Sequence, residues 1–136
     1  MNANGLNPAL EGVEFIPLRI VADDSQSSIN SIGRTVKSVV VTDVVNDAND
    51  FIVLPNLADT PDGHEITIVC SAGHNFELRT PSGSNEEINS EDCDGTKEYL
   101  CTDTQIVKVI KINNTIGWMA HGYTAIGAVA TAVVPD

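Results

Sequence analysis

The sequence predicts an all-β fold, an antiparallel β-sandwich or jelly-roll-like barrel with an extended N-terminal arm, and three observations lead there. The apolar fraction of 42% is carried mainly by Val, Ile, Ala and Leu, with only three Phe, two Tyr and one Trp, so the core must be built from branched aliphatics, which favour extended backbone. From Val36 onward, short apolar runs alternate with turn signals at intervals of roughly 8–12 residues. No capped amphipathic helix of useful length is legible anywhere in the chain. With 136 residues there is enough chain for one core and too little to divide comfortably into two. Residues 1–35 read as arm and linker, and residues 36–136 as the sandwich or barrel domain.

In the arm, residues 1–14 carry Asn, Gly and Pro with scattered apolar positions at Leu6, Leu10 and Val13, too few to form a core of their own. Phe15 to Val21 adds Phe15, Ile16, Leu18 and Ile20, but Pro17 restricts it to an edge strand or a segment that docks elsewhere. Asp23 to Ser28 is polar and reads as linker.

The β pattern begins at Val36–Val45 and continues in the short run Phe51–Leu54, which Pro55 stops. In Glu65–Cys70, Ile66, Ile68 and Cys70 fall on one face and Thr67 and Val69 on the other, so Cys70 points into the core. Phe76-Glu77-Leu78-Arg79 alternates as a half-buried strand does. Pro81–Gly95 is polar and acidic and reads as the longest loop, a candidate for contact or ligand binding. Glu98–Cys101 is brief, and Gln105–Ile112, apolar on both faces apart from Lys108 and Lys111, has the character of a central strand. Asn113-Asn114 offers a two-residue hairpin turn, which is also the better reading of the glycosylation sequon at Asn113. Thr115–Ala120 returns as its partner and carries Trp118. Ala125–Val134 alternates small and branched residues; a segment this apolar needs a sheet or another subunit to cover it. It reads as a buried strand and as part of an oligomer interface through Ile126, Val129 and Val133.

Nineteen acidic residues against seven basic ones give a net charge of -12, which repels phosphate backbones and anionic headgroups and argues against nucleic-acid or membrane partners. No basic, apolar leader or membrane-length apolar run is present. Three cysteines, Cys70, Cys93 and Cys101, form an odd set without a CxxC spacing and read as free thiols of a reducing compartment.

No constellation specifies a reaction, a cofactor or a metal. Ser90–Gly95 superficially looks like a calcium loop, but its first and twelfth positions are Ser90 and Cys101 rather than Asp and Glu, and no helix flanks it; a solvated Asp-Gly turn is the simpler reading. His64, His74 and His121 sit in separate turns, and Cys93 and Cys101 are too far apart for a usual zinc spacing. Hydrolase, P-loop and dinucleotide motifs are missing. A trimeric jelly-roll nucleotide hydrolase would need a Gly-rich phosphate-cradling tail that is not evident. Trp118 and Tyr123 suggest an aromatic ligand surface, against the plainer reading of Trp118 as a core anchor.

From about Val36 onward the sequence resembles the small decoration, or cement, proteins on the heads of tailed bacteriophages, particularly those of marine cyanophage type. The resemblance is carried by Phe51-Ile52-Val53-Leu54-Pro55, Ile66-Thr67-Ile68-Val69, Phe76-Glu77-Leu78-Arg79-Thr80, Ile88-Asn89, Tyr99, Val107-Lys108-Val109-Ile110 and Gly117-Trp118, a diffuse pattern over roughly 100 residues. It implies a homotrimer, made in the host cytoplasm, that sits on the capsid exterior and bridges major capsid protein subunits, with the arm making the capsid contacts and with no small-molecule substrate. The alternative is a carbohydrate- or receptor-binding module of a phage tail or fibre.

Overall fold

A computed structural model describes residues 17–124 apart from Ala48 and Thr96. Among them, ten strands form two sheets: β1 (Leu18–Ala22), β2 (Ser38–Val44), β3 (Phe51–Val53), β4 (Glu65–Cys70), β5 (Phe76–Arg79), β6 (Glu87–Ile88), β7 (Glu91–Asp92), β8 (Tyr99–Cys101), β9 (Ile106–Asn113) and β10 (Gly117–Tyr123). The larger sheet runs in the order β1-β2-β4-β9-β10-β6-β7, and the smaller in the order β3-β5-β8.

The all-β expectation holds, but the first half of the chain does not pair as an antiparallel sandwich or jelly roll. β1 and β2 are parallel, β2 and β4 are parallel, and β3 and β5 are parallel. The chain passes from β1 in the large sheet to a single parallel bridge of Ser31 with Val53 on the small one, returns as β2, crosses to β3, returns as β4 and crosses again to β5. This coiling is solenoid-like. The second half is mainly antiparallel, with β8 on β5, β9 on β4, β10 on β9 and β7 on β6, while β6 meets β10 in parallel at Ile88 and Trp118.

Alternation dictates which residues fill the space between the sheets. Val39 and Val41 of β2, Ile66, Ile68 and Cys70 of β4, and Val107 and Val109 of β9 point inward from the large sheet. They join Ile52, Leu54, Phe76, Leu78, Tyr99 and Cys101 in one cluster, closed by Trp118. The expected inward face of Glu65–Cys70 is therefore the observed one, and β9 lies centrally as its composition predicts.

The arm does not end where the sequence suggested. β1 is hydrogen-bonded into the large sheet, and Ile20, Ala22 and Ile32 are buried in the common core, so the folded unit begins well before Val36. The polar residues between them mask this, because one buried side chain organises them. Asn30, fully enclosed, donates through Nδ2 to the carbonyls of Ser25 and Phe51 at 3.0 Å each and accepts the Ser27 N–H at 2.9 Å. β1 is an edge strand, as Pro17 requires.

Two further expectations change in detail. Pro81–Gly95 is not one open loop: Asn89 and Ser90, at φ 55° and 69°, turn β6 into β7, as a two-residue turn with both φ positive does. Ile88 and Cys93 anchor this hairpin in the core. The β9–β10 turn is longer than two residues. Asn113 pairs with Gly117, Asn113 Oδ1 accepts the N–H groups of Thr115 and Ile116 at 2.8 Å each, and the positive φ of 82° falls on Gly117.

Candidate interaction face

The side of the large sheet that faces away from the core is the most distinctive surface among the described residues. Register places its side chains in rows across the strands. One row is Tyr123, Ile106, Val69, Val40 and Arg19, running from β10 through β9, β4 and β2 to β1. The next is His121, Lys108, Thr67 and Ser38, and the third is Met119, Ile110 and Glu65. Ile106 and Met119 are 42% and 43% exposed, large apolar side chains standing in solvent on a sheet that is otherwise well ordered by its ladder.

The face also departs from the charge of the chain. Across β1, β2, β4, β9 and β10 its outward positions carry two carboxylates, Asp43 and Glu65, against Arg19 and Lys108, with Glu87 and Asp92 at the far edge on β6 and β7, whereas the chain has nineteen acidic and seven basic residues. Glu65 and Lys108 pair at 3.3 Å, both about half exposed, so the pair adds little stability and mainly neutralises the centre of the face. A molecule with net charge -12 repels its own copies and other acidic surfaces. Over β1, β2, β4, β9 and β10 the outward carboxylates and cations balance, which lessens that repulsion locally, and apolar area is available.

A shallow hollow bounded by Glu65, Lys108–Ile110 and Met119–His121 lies on this face, with a volume of about 190 Å³. That is below the roughly 300 Å³ at which small-molecule pockets begin. The Tyr123 hydroxyl meets His121 Nε2 at 2.9 Å, and the two rings stand edge to face with centroids 4.9 Å apart. This shapes a polar rim and is compatible with a docking surface rather than an enclosed reaction site.

The anticipated site residues fall in different places. Trp118 is completely buried, on the opposite side of β10 from Met119 and His121; it offers no face to a ligand and is a core anchor. Tyr123 is partly exposed on the outward face. Of the arm residues, Leu18 is 37% exposed but Ile20 is 5% exposed and belongs to the chain's own core, so Ile20 is unavailable to a capsid. Leu6, Leu10, Val13, Phe15 and Ile16 lie outside the described residues, as do Ile126, Val129 and Val133.

The three histidines do not converge: His64 is buried with Nε2 2.9 Å from the Val36 carbonyl, while His121 belongs to the outward face. In the acidic hairpin, Asp94 accepts the Asn85 N–H at 3.1 Å and Glu91 pairs with Lys97 at 2.6 Å. Among the described residues no group of three His, Cys, Asp or Glu side chains is arranged to hold a metal ion.

Cys70, Cys93 and Cys101 are free and buried. Burial pushes the Cys93 thiol up to about 11, and burial followed by the hydrogen bond with Cys70 raises Cys101 well above the ordinary thiol value. Such thiols are poor nucleophiles. Sequence reading did not anticipate that Cys70 and Cys101 meet across the two sheets. Nor did it single out Lys111, a buried lysine whose Nζ donates to the carbonyls of Leu57 at 2.7 Å and Thr60 at 2.5 Å and pairs with Asp62 at 3.1 Å. The only signal available was a Lys at an inward position of an otherwise aliphatic strand. Compared with models of known families and with curated proteins, the chain matches none.

Proposed function

We propose that this protein is a structural adhesion module: a decoration, or cement, protein that assembles as a homotrimer, binds the outside of a phage head and bridges major capsid protein subunits. The observation that carries this reading is the charge-balanced outer face of β1, β2, β4, β9 and β10, with its exposed Ile106 and Met119, on an otherwise strongly acidic molecule. A surface of that kind suits association with a protein partner, and contacts made only in the assembled state stabilise the assembly by mass action. The exposed Leu18 at the start of β1 is consistent with contacts that continue into the preceding residues. The remaining acidic surface suits an exterior position, where it repels nucleic acid. The alternative, a carbohydrate- or receptor-binding module, loses support from Trp118, which is buried, and retains Tyr123 on the outward face.

The test is co-sedimentation with empty heads. Purified protein is expected to pellet with them, and a chain carrying Ile112→Glu with Met119→Glu, both outward and exposed, is expected to lose at least tenfold in binding with its circular dichroism unchanged. Absence of binding by the unsubstituted protein, or full binding by the doubly substituted one, overturns the assignment. Light scattering on the unbound protein tests the trimer.

A further inference from the structure

Cys70 and Cys101 come from different sheets and meet at one end of the molecule, where two crossovers run side by side. Cys70 is the last residue of β4 and Cys101 the last of β8, and both are enclosed in the core, 1% and 0% exposed. Residues 71–75 carry the chain from β4 to β5 in the small sheet, and residues 102–105 carry it back from β8 to β9 in the large one.

Hydrogen bonds stitch these crossovers to each other and to Cys70. The Gln105 N–H closes a turn onto the Thr102 carbonyl at 3.2 Å, with Thr104 at φ 67°. That turn is clamped to Cys70: the Thr104 N–H donates to the Cys70 carbonyl and the Cys70 N–H to the Gln105 carbonyl, each at 2.9 Å. Asp103 Oδ1 accepts the Gly73 N–H at 3.0 Å, and the Asp103 N–H donates to Asn75 Oδ1 at 3.1 Å. Cys101 itself pairs with Phe76 in the small sheet. The backbone around both thiols is thereby fixed, and their side chains share a hydrogen bond. Facing sheets ordinarily stand about 10 Å apart, so a thiol contact between them marks a place where they are drawn together, as a disulfide between them requires.

We propose that Cys70 and Cys101 are the two halves of a latent disulfide, a staple between the sheets that closes when the chain meets a peroxide. Cys70 reacts first, because with Ser71, Gly73 and Asp103 it borders a hollow of about 500 Å³, whereas Cys101 lies wholly inside. The Cys70 thiolate attacks one peroxide oxygen, breaks the O–O bond and becomes a sulfenic acid, and the expelled hydroxide takes up the thiol proton as water. The Cys101 sulfur, already in contact, then attacks the Cys70 sulfur, and its proton leaves with the sulfenic hydroxyl as a second water. Two thiols and one hydrogen peroxide give one disulfide and two waters, a two-electron oxidation of sulfur matched by reduction of the peroxide. Burial makes the reaction slow, so the thiols persist in a reducing compartment and close in an oxidising one. Cys93 stands apart, its Sγ 4.0 Å from the Ile88 carbonyl at the β6–β7 hairpin. The closed loop holds about 30 residues, β5 to β8 among them, long enough to restrict the unfolded chain strongly. The staple does not depend on the capsid partner proposed above.

Mass spectrometry of the full-length chain tests it. After the reduced, folded protein is treated with a modest excess of hydrogen peroxide, unfolding and alkylation are expected to find one free thiol, Cys93, and a peptide joining Cys70 to Cys101 with two hydrogens lost. Three free thiols, a bond that includes Cys93, interchain dimers, or oxidation that ends at sulfinic acid would each overturn the staple. Cys93→Ala is expected to close the same bond at an unchanged rate; a Cys93→Ala chain that folds and stays reduced overturns it. The oxidised protein is also expected to unfold in urea with an equilibrium constant at least tenfold smaller than that of the reduced protein, reverting with dithiothreitol, and coincident urea curves would show that the bond staples nothing.

Discussion

Asn89 holds Ala120 by both ends of its side-chain amide: Nδ2 donates to the Ala120 carbonyl at 3.0 Å, and Oδ1 accepts the Ala120 N–H at 2.8 Å. The amide stands in for a peptide of a neighbouring strand. β6 pairs with β10 only at Trp118 and Ile88, so without Asn89 the backbone of β10 beyond that point would present an open edge, a site for unwanted pairing. Asn89 also donates its own N–H to the Trp118 carbonyl at 2.8 Å, which fixes the side chain in place.

Asn89→Ala is therefore expected to lower stability by about 2 kcal/mol, two hydrogen bonds of ordinary net value, and to increase concentration-dependent aggregation. Asn89→Asp retains the acceptor and sets a carboxylate against the Ala120 carbonyl, so it should be no more stable than Asn89→Ala. Urea midpoints together with light scattering during refolding check both; an Asn89→Asp chain as stable as the original would show that the donated bond contributes nothing.

Gly117 adopts φ 82°, and a Cβ placed there would lie 2.5 Å from the Glu87 carbonyl oxygen. Two costs add at this position, left-handed backbone for an L-residue at about 1–2 kcal/mol and overpacking against backbone at about 1–3 kcal/mol. Gly117→Ala is expected to destabilise by roughly 3 kcal/mol. Amide exchange should show the β6–β7 hairpin loosening first. Gly63, whose φ is also 82° but with open space around it, should cost only the backbone share when replaced by Ala.

Lys111 is the third case. Its ammonium donates to the Leu57 and Thr60 carbonyls at the two ends of one turn, and Asp62 beside it is 65% exposed. Lys111→Met keeps the aliphatic stem and removes the donor to the Thr60 carbonyl, whereas the Leu57 carbonyl still accepts the Thr60 N–H at 3.2 Å. The expected loss is about 1–3 kcal/mol in thermal or denaturant unfolding, the cost of one group left buried, because solvated Asp62 contributes little. A loss below half a kilocalorie would place the Thr60 carbonyl in contact with water.

Glu86 gives a pH dependence. Burial raises its pKa above 4.5, against the opposing effects of the Leu57 N–H that it accepts and of Lys111 nearby; Asp59 adds to the rise. Its second oxygen, Oε2, is buried without a partner. The folded chain therefore holds this proton more tightly than the unfolded chain does. The contribution is fully present below the unfolded value and is lost as pH rises through the folded one. Glu86→Gln, which keeps an acceptor for Leu57, should flatten this part of the curve and leave the variant at least as stable as the original at pH 7. Denaturant midpoints between pH 4 and pH 8 decide it, and parallel curves for the two proteins would reject the assignment.

The strands themselves were legible because alternation is a local property. Ile66, Ile68 and Cys70 must share a face of any strand they form, and Val107 and Val109 must share another. The sequence by itself therefore determined that the chain is β-rich, where β2, β4, β5 and β9 run, which side chains they turn inward and where the main turns fall. Pairing is not local. Val39 and Ile68 become neighbours only through the intervening coil, and no residue in either strand encodes whether its partner runs parallel or antiparallel. The same holds for the interaction face: its members could be read strand by strand, but their alignment into an apolar row from Tyr123 to Arg19 depends on register across five strands. Polar residues misled for a related reason. Asn30 and Lys111 are types that water normally satisfies, and only long-range partners supplied by the tertiary fold, the Phe51 carbonyl for one and the Leu57 and Thr60 carbonyls for the other, replace that water and permit burial.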